Sequence, residues 1–429
     1  MGAAENQLLD LAAQALASMK DAGFDDAQVT AVHSKLDEVC VAHNEASLLR
    51  STESRKLMLL GLAGGRVAST EITQLDPAAV RDRIAALFAD AKSAPQDEAN
   101  AVSANQHARI VQGPQEGDRD LMAAKTSELL AFRERETGKV LVEESFTRHS
   151  WQRLQVLTSR GSDLAASAGC YSISIVGTGR DGKKSSSFNF TGGSANELAS
   201  RTAPEYFGIG QMLRDTERQI DTRPFDGKFV GDVVFTPGAV SDLLGWLLGQ
   251  VSDTQLIAGS SLYRESVGEA IASPLLTIRS RFDAPGVVAI SGDAFATPAV
   301  TLVEQGKLAA LTPSLYGSRK TGLKHVPVAG GWDVAAGTTP LSEVIAGVQR
   351  GAIVGRMSMG NPAANGNFSG VIKNSFAIEG GQVGHALSET MIAGNMAQML
   401  KDIVAVSREV IDSGAQRLPW IRIANLHFS

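Results

Sequence analysis

Histidine and cysteine are scarce, with seven and two in 429 residues. No two histidines stand one helical turn apart, the spacing that aims a pair of imidazoles at one metal. Cys40 and Cys170 lie far apart inside strand-like runs, which argues against a disulfide framework and for reduced, buried thiols in a cytoplasmic setting. A nucleophilic thiol would need a base and an electropositive surround, and the sequence supplies neither. No run of eighteen apolar residues exists, so no membrane span is expected. The N-terminus lacks a basic stretch before an apolar core and predicts no secretory leader. Met1-Gly2 fails as a lipidation start because position 6 is Asn. A basic excess is also missing. Lys and Arg total 40 against 46 Asp and Glu, for a net charge of -6 and a pI near 5.7, which argues against direct nucleic-acid binding.

What is present is an ordinary globular composition, 43% hydrophobic and 20% charged, long enough for two or three domains. Residues 1–95 carry an amphipathic helix to Ala22, strand-like alternation over Gln28–His43, a strand–turn–strand across Gly64-Gly65, and a helix from Asp76-Pro77 to Lys92. That order predicts an N-terminal α/β domain. Residues 96–222 predict a middle α/β domain. It has a polar linker (93–120), a helix (121–135), strands (140–147, 151–159 and 170–176) and an interrupted helix (194–221). Thr178–Ser187 ends Gly-Lys-Lys-Ser with the wrong glycine spacing for a phosphate loop, and Asp181-Gly182 suits a hairpin turn. Residues 223–429 form a third unit of short strands and glycine turns, closed by a helix expected over 395–413. The fold class is α+β.

The most informative stretch is Val230–Asp253. A short strand, Asp232–Phe235, breaks at Thr236-Pro237, a helix N-cap and first-turn pair. Val240, Leu243, Leu244, Leu247, Leu248 and Val251 then recur at three- and four-residue steps, one apolar helical face.

This stretch, with the later SLYGSRKTG and the C-terminal NFSGVIKNSFAIEGGQVGHALSETMIAGNMAQMLKDIVAV, resembles the TldD/PmbA family, long labelled "modulator of DNA gyrase", and its PmbA/TldE branch. The resemblance covers nearly the whole chain. It implies a largely β, barrel-like C-terminal domain and a heteromeric cytoplasmic metalloprotease acting on peptides. The zinc-bearing TldD branch carries a His-Glu-x-x-x-His motif on this helix, and the motif falls here on Gly245, Trp246 and Gln250. The cysteine that completes that site has no counterpart in Leu418–Ser429.

The resemblance therefore implies a catalytically silent chain without its own zinc. Its expected partner is a TldD-type subunit that carries the metal, or a second copy in a homodimer. Arg319 and Lys320, in a loop that the family places near the cleft, are candidates to orient a peptide carboxylate. Two rival functions stand beside this one: a homodimer that binds peptides or modulates a gyrase-like partner without hydrolysis, and a hydrolase using Ser or Cys. Asp283 with Asp293, Glu265 with Glu269, and His385 with Glu389 carry acid/base or ligand chemistry but no diagnostic spacing.

Overall fold

The computed structural model describes residues 3–429; Met1 and Gly2 lie outside it. Helix α1 (Ala3–Asp21) ends at Gly23, whose φ of 97° turns the chain into strand β1 (Asp26–Ala42). Strand β2 (Glu45–Ala63) pairs antiparallel with β1 and, through the Gly64-Gly65 turn, with β3 (Arg66–Ile72). Helix α2 (Pro77–Ser93) starts as its sequence predicts, with the Asp76 carboxylate accepting from Ala79 N at 2.9 Å. Strand β4 (His107–Gln112), helix α3 (Arg119–Glu136), strands β5 (Val140–Thr158) and β6 (Asp163–Asp181), and helix α4 (Ile209–Arg218) follow.

The sheet order is β3-β2-β1-β5-β6-β4, with only the β4–β6 pair parallel. β1 lies between β2 and β5, so chain from both sides of residue 95 builds a single sheet. Side chains alternate along a strand, so Val29, Ala31 and Val39 share one face of β1. Helices cover that face. Met19, Ile84 and Leu87 pack on Val29, Leu57 and Leu59, and Met122 and Leu129 pack near Val39, Val140 and Ile173.

The remaining chain forms a branched, largely antiparallel sheet around its last strand, Gln416–Phe428, which pairs with four others. Strand Phe229–Phe235 lies antiparallel to it and parallel to Arg350–Val354. Helix α5 (Pro237–Val251) follows that strand and packs over the largest core, with Phe235, Leu243, Leu247, Ile423 and Phe428 at its centre.

The fold is α+β as expected, but the strand path is open: among the described residues no closed barrel forms. Other expectations need correction. The two strands expected over 140–159 are one, β5, because no glycine or proline interrupts them and Arg148 pairs across to Glu38. The 194–221 helix is only a 3-10 turn (Ala203–Gly208) and α4. The 93–120 linker contributes β4. The helix expected over 395–413 stops at Lys401, and Ile403–Asp412 is a strand. Its Ile403 and Val406 fit a helical period, yet pairing with Ile423 and Ile421 wins.

Candidate functional site

Thr236 caps α5 with an extended backbone (φ −68°, ψ 163°) and its carbonyl accepts from Val240 N at 2.9 Å. Its hydroxyl does not cap the helix. It donates to the Gly355 carbonyl at 3.1 Å and so ties the helix start to the Arg350–Val354 strand end. Val240, Leu243, Leu244, Leu247 and Val251 are buried in the core, on the face that the sequence predicts.

The opposite stripe of α5 lines a cavity of about 470 Å³. Asp242, Gly245, Trp246, Gly249 and Gln250 form one wall, and Met357–Ala364 forms the other. All three positions expected to match the zinc motif therefore meet in one concave space. Gly245 presents open space, since a Cβ built there meets nothing within 4 Å. Trp246 packs edge-on against Tyr263, with ring centroids 6.1 Å apart, and its indole N–H is buried without a partner. Gln250 is 2% exposed; its Oε1 accepts from Leu262 N at 2.9 Å and its Nε2 donates to the Ala364 carbonyl at 3.3 Å.

A zinc ion takes three or four imidazole, thiolate or carboxylate donors. This stripe offers one carboxylate, Asp242, which limited hydration pushes up against the opposing backbone bond from Met357 and the charge of Arg356. Gly245, Trp246 and Gln250 themselves carry no imidazole, thiolate or carboxylate donor. Among the described residues no group of three or more His, Cys, Asp or Glu side chains is placed to hold a metal.

Arg319 and Lys320 sit on a short helix, Leu315–Thr321, away from this cavity's lining. Arg319 donates to the Glu98 carbonyl at 2.7 Å, and Lys320 pairs with Asp97 at 3.0 Å. Both thus latch the C-terminal unit to the loop after α2. Cys40 and Cys170 are buried and unbonded to each other; burial pushes the Cys40 thiol up, and Cys170 Sγ lies 3.4 Å from Ser150 Oγ.

Sequence reasoning missed the pairing of His325 Nε2 with Asp293 Oδ2 at 2.9 Å. The same carboxylate accepts from Leu315 N at 2.7 Å, so this pair orders the start of the 315–321 helix. Its only sequence signal was the acidic Asp293 itself.

Residues 227–429 match the family model described as PmbA/TldA metallopeptidase C-terminal domain. The C-terminal unit is thus similar to that domain of the TldD/PmbA family. Metalloprotease PmbA of Escherichia coli O157:H7 is 26% identical over 247 residues, 53% of this chain and 52% of that protein, so the match spans about half of that relative's length. Among solved structures, TldE from Thermococcus kodakarensis superposes with a TM-score of 0.81 at 20% identity, over 98% of this chain and 100% of that one. A protein from Bacteroides thetaiotaomicron, named as a candidate modulator of DNA gyrase, gives 0.84 at 20% identity over 98% of each chain. A Thermotoga maritima protein with the same naming gives 0.78 at 15% identity, over 98% of this chain and all of that one. These likenesses carry the fold. No helix among the described residues is long and apolar enough to cross a membrane.

Proposed function

We propose that this chain is the PmbA/TldE-like subunit of a two-component cytoplasmic metalloprotease that acts on peptides, and that it shapes the substrate chamber without holding zinc. One observation carries the reading. Gly245, Trp246 and Gln250 line a common cavity, yet each has side-chain chemistry that cannot ligate zinc there: none at all, an indole, and an amide already bonded to two backbone groups. The zinc then belongs to a TldD-type partner, and this chain contributes backbone and cavity walls to an extended peptide, a recognition mode that needs no titratable group.

The experiment is purification of this chain alone and with a TldD-type partner, followed by zinc analysis and peptide cleavage. The expected result is metal and proteolysis only in the mixed complex. Stoichiometric zinc together with cleavage by the lone chain overturns the reading. Labelling of the lone chain by a serine- or thiol-directed probe points to the rival hydrolase.

A further inference from the structure

Arg319 and Lys320 are held by the loop after α2, but a second cation pair is not held by anything comparable. Arg356 and Lys373 stand directly opposite each other in the antiparallel ladder of strands Arg356–Ser358 and Asn367–Lys373. The next pair along, Met357 and Ile372, is buried in the core, so alternation turns Arg356 and Lys373 to the outer face. Like charges at directly opposed positions cost stability. Among the described residues neither side chain meets a carboxylate or donates a hydrogen bond, and Arg356 Nε is buried without a partner. Limited hydration lowers the pKa of this guanidinium, opposed by the through-space charge of Asp242.

Two exposed aromatic rings stand beside the pair. Arg356 Cζ lies 4.3 Å from the centre of the Phe188 ring and 5.8 Å from that of Phe190, and both phenylalanines are about half exposed. Asn374, buried and next to Lys373, donates from Nδ2 to the Phe188 carbonyl at 3.2 Å and to Asn189 Oδ1 at 3.0 Å. These bonds fix the aromatic segment to the end of the cationic ladder.

We propose that Arg356 and Lys373 bind a peptide carboxylate, with Phe188 and Phe190 as the apolar shelf beside it. A guanidinium packed over a ring keeps N–H groups at its edge for a planar acceptor with two oxygens. A carboxylate placed between the two cations cancels their repulsion and restores the polar contacts that limited hydration takes from Arg356. A nucleobase fits less well. The two rings stack on each other with centroids 6.3 Å apart, a base between them needs about 7 Å, and the net charge of -6 repels a polyanion. The site adjoins the cavity beside α5, because Met357, the neighbour of Arg356, lines it. That the carboxylate belongs to a peptide rests on the function proposed above. The same fork receives it from a C-terminus or from an acidic side chain.

The test reads binding by the full chain alone, not cleavage, so its failure is separate from failure of the two-component reading. The probes are a short N-acetylated peptide of Gly, Ser and Leu as the free acid, the same peptide as its amide, and that amide with one central Glu. Calorimetry should show the free acid, the Glu amide or both binding about tenfold or more tightly than the plain amide. The first result assigns the C-terminus as the source of the carboxylate, and the second an acidic side chain. Arg356→Lys, which keeps the charge and loses the fork, and Lys373→Met should each cut that preference about three- to tenfold. Lys373→Met removes the like-charge pair, so the thermal midpoint of the free chain should stay or rise, and a loss of binding there is not a loss of fold. Equal binding of all three peptides, binding of none, or a carboxylate preference that survives both substitutions overturns the proposal. So does a short thymidine oligonucleotide that binds through Arg356 while the peptides do not.

Discussion

The Gln250 side chain accepts a 2.9 Å hydrogen bond from Leu262 N while donating to the Ala364 carbonyl on the other side. One residue thus ties α5 to two loops, one of them the far wall of the cavity. Gln250→Ala removes both of these part-buried bonds, and the expected loss of stability is about 0.5–1.5 kcal/mol. Urea unfolding measures the loss, and faster amide exchange at Leu262 locates it. Unchanged exchange at Leu262 would count against this assignment.

Tyr263 is the aromatic neighbour of Trp246, and its hydroxyl is buried without a partner. Burial alone pushes that phenol up to about 12. The raised value means that its contribution is fully present below pH 10, the usual phenol range, and is lost as pH rises towards 12. Tyr263→Phe removes an orphaned polar atom from an apolar site. It should leave stability at pH 7 unchanged or raise it by about 1 kcal/mol, and it should flatten the fall in thermal midpoint between pH 10 and 12. A large loss at pH 7 would mean that the hydroxyl has a partner in solution.

Much of the α5 region was legible in the chain because a strong 3.6-residue period and a Thr-Pro start point the same way. Its polar stripe was not legible as a cavity, since the opposing wall, Met357–Ala364, comes from a distant strand end. The closing segment misled for a related reason. Met396, Met399, Leu400, Ile403 and Val406 satisfy a helical period throughout, yet beyond Lys401 the β-branched residues pair with the last strand. Arg319 and Lys320 looked like free cations because their partners, Glu98 and Asp97, belong to the other end of the sequence. Local pattern fixes elements; long-range pairing decides which atoms are left to act.

Glu38 shows the same long-range logic inside the first sheet. Its side chain is fully buried and bridges Arg50, on β2, and Arg148, on β5, the latter at 2.7 Å. Burial opposes ionisation, but hydrogen bonds and charge from Arg50 and Arg148 outweigh it and hold the carboxyl below its usual range. The stabilisation is therefore present above the unfolded value near 4.5 and is lost as pH falls through the lower folded value. Glu38→Gln should cost about 1–3 kcal/mol at pH 7, less than a fully buried pair, because both guanidiniums remain partly hydrated. It should also remove part of the acid sensitivity below pH 4.5, read from urea midpoints taken across pH 3–7. Equal acid sensitivity in both proteins would assign it to other carboxylates.

Asp97 joins the loop after α2 to the 315–321 helix, accepting from Tyr316 Oη at 2.7 Å and pairing with Lys320 at 3.0 Å. The backbone bond from Ala99, then Tyr316 and Lys320, hold its carboxyl down to about 2. The sign follows from that depression: the latch is complete above the ordinary value of 3.8 and loosens as pH falls towards 2. Asp97→Asn should speed amide exchange in residues 97–99 and 315–321 at neutral pH and remove the acid-dependent part of that exchange. Lys320→Met should do so more weakly, because the Tyr316 and Ala99 bonds remain. If Lys320 served a substrate carboxylate in place of this latch, Lys320→Met would leave exchange at Asp97 untouched and alter only peptide cleavage by the assembled complex.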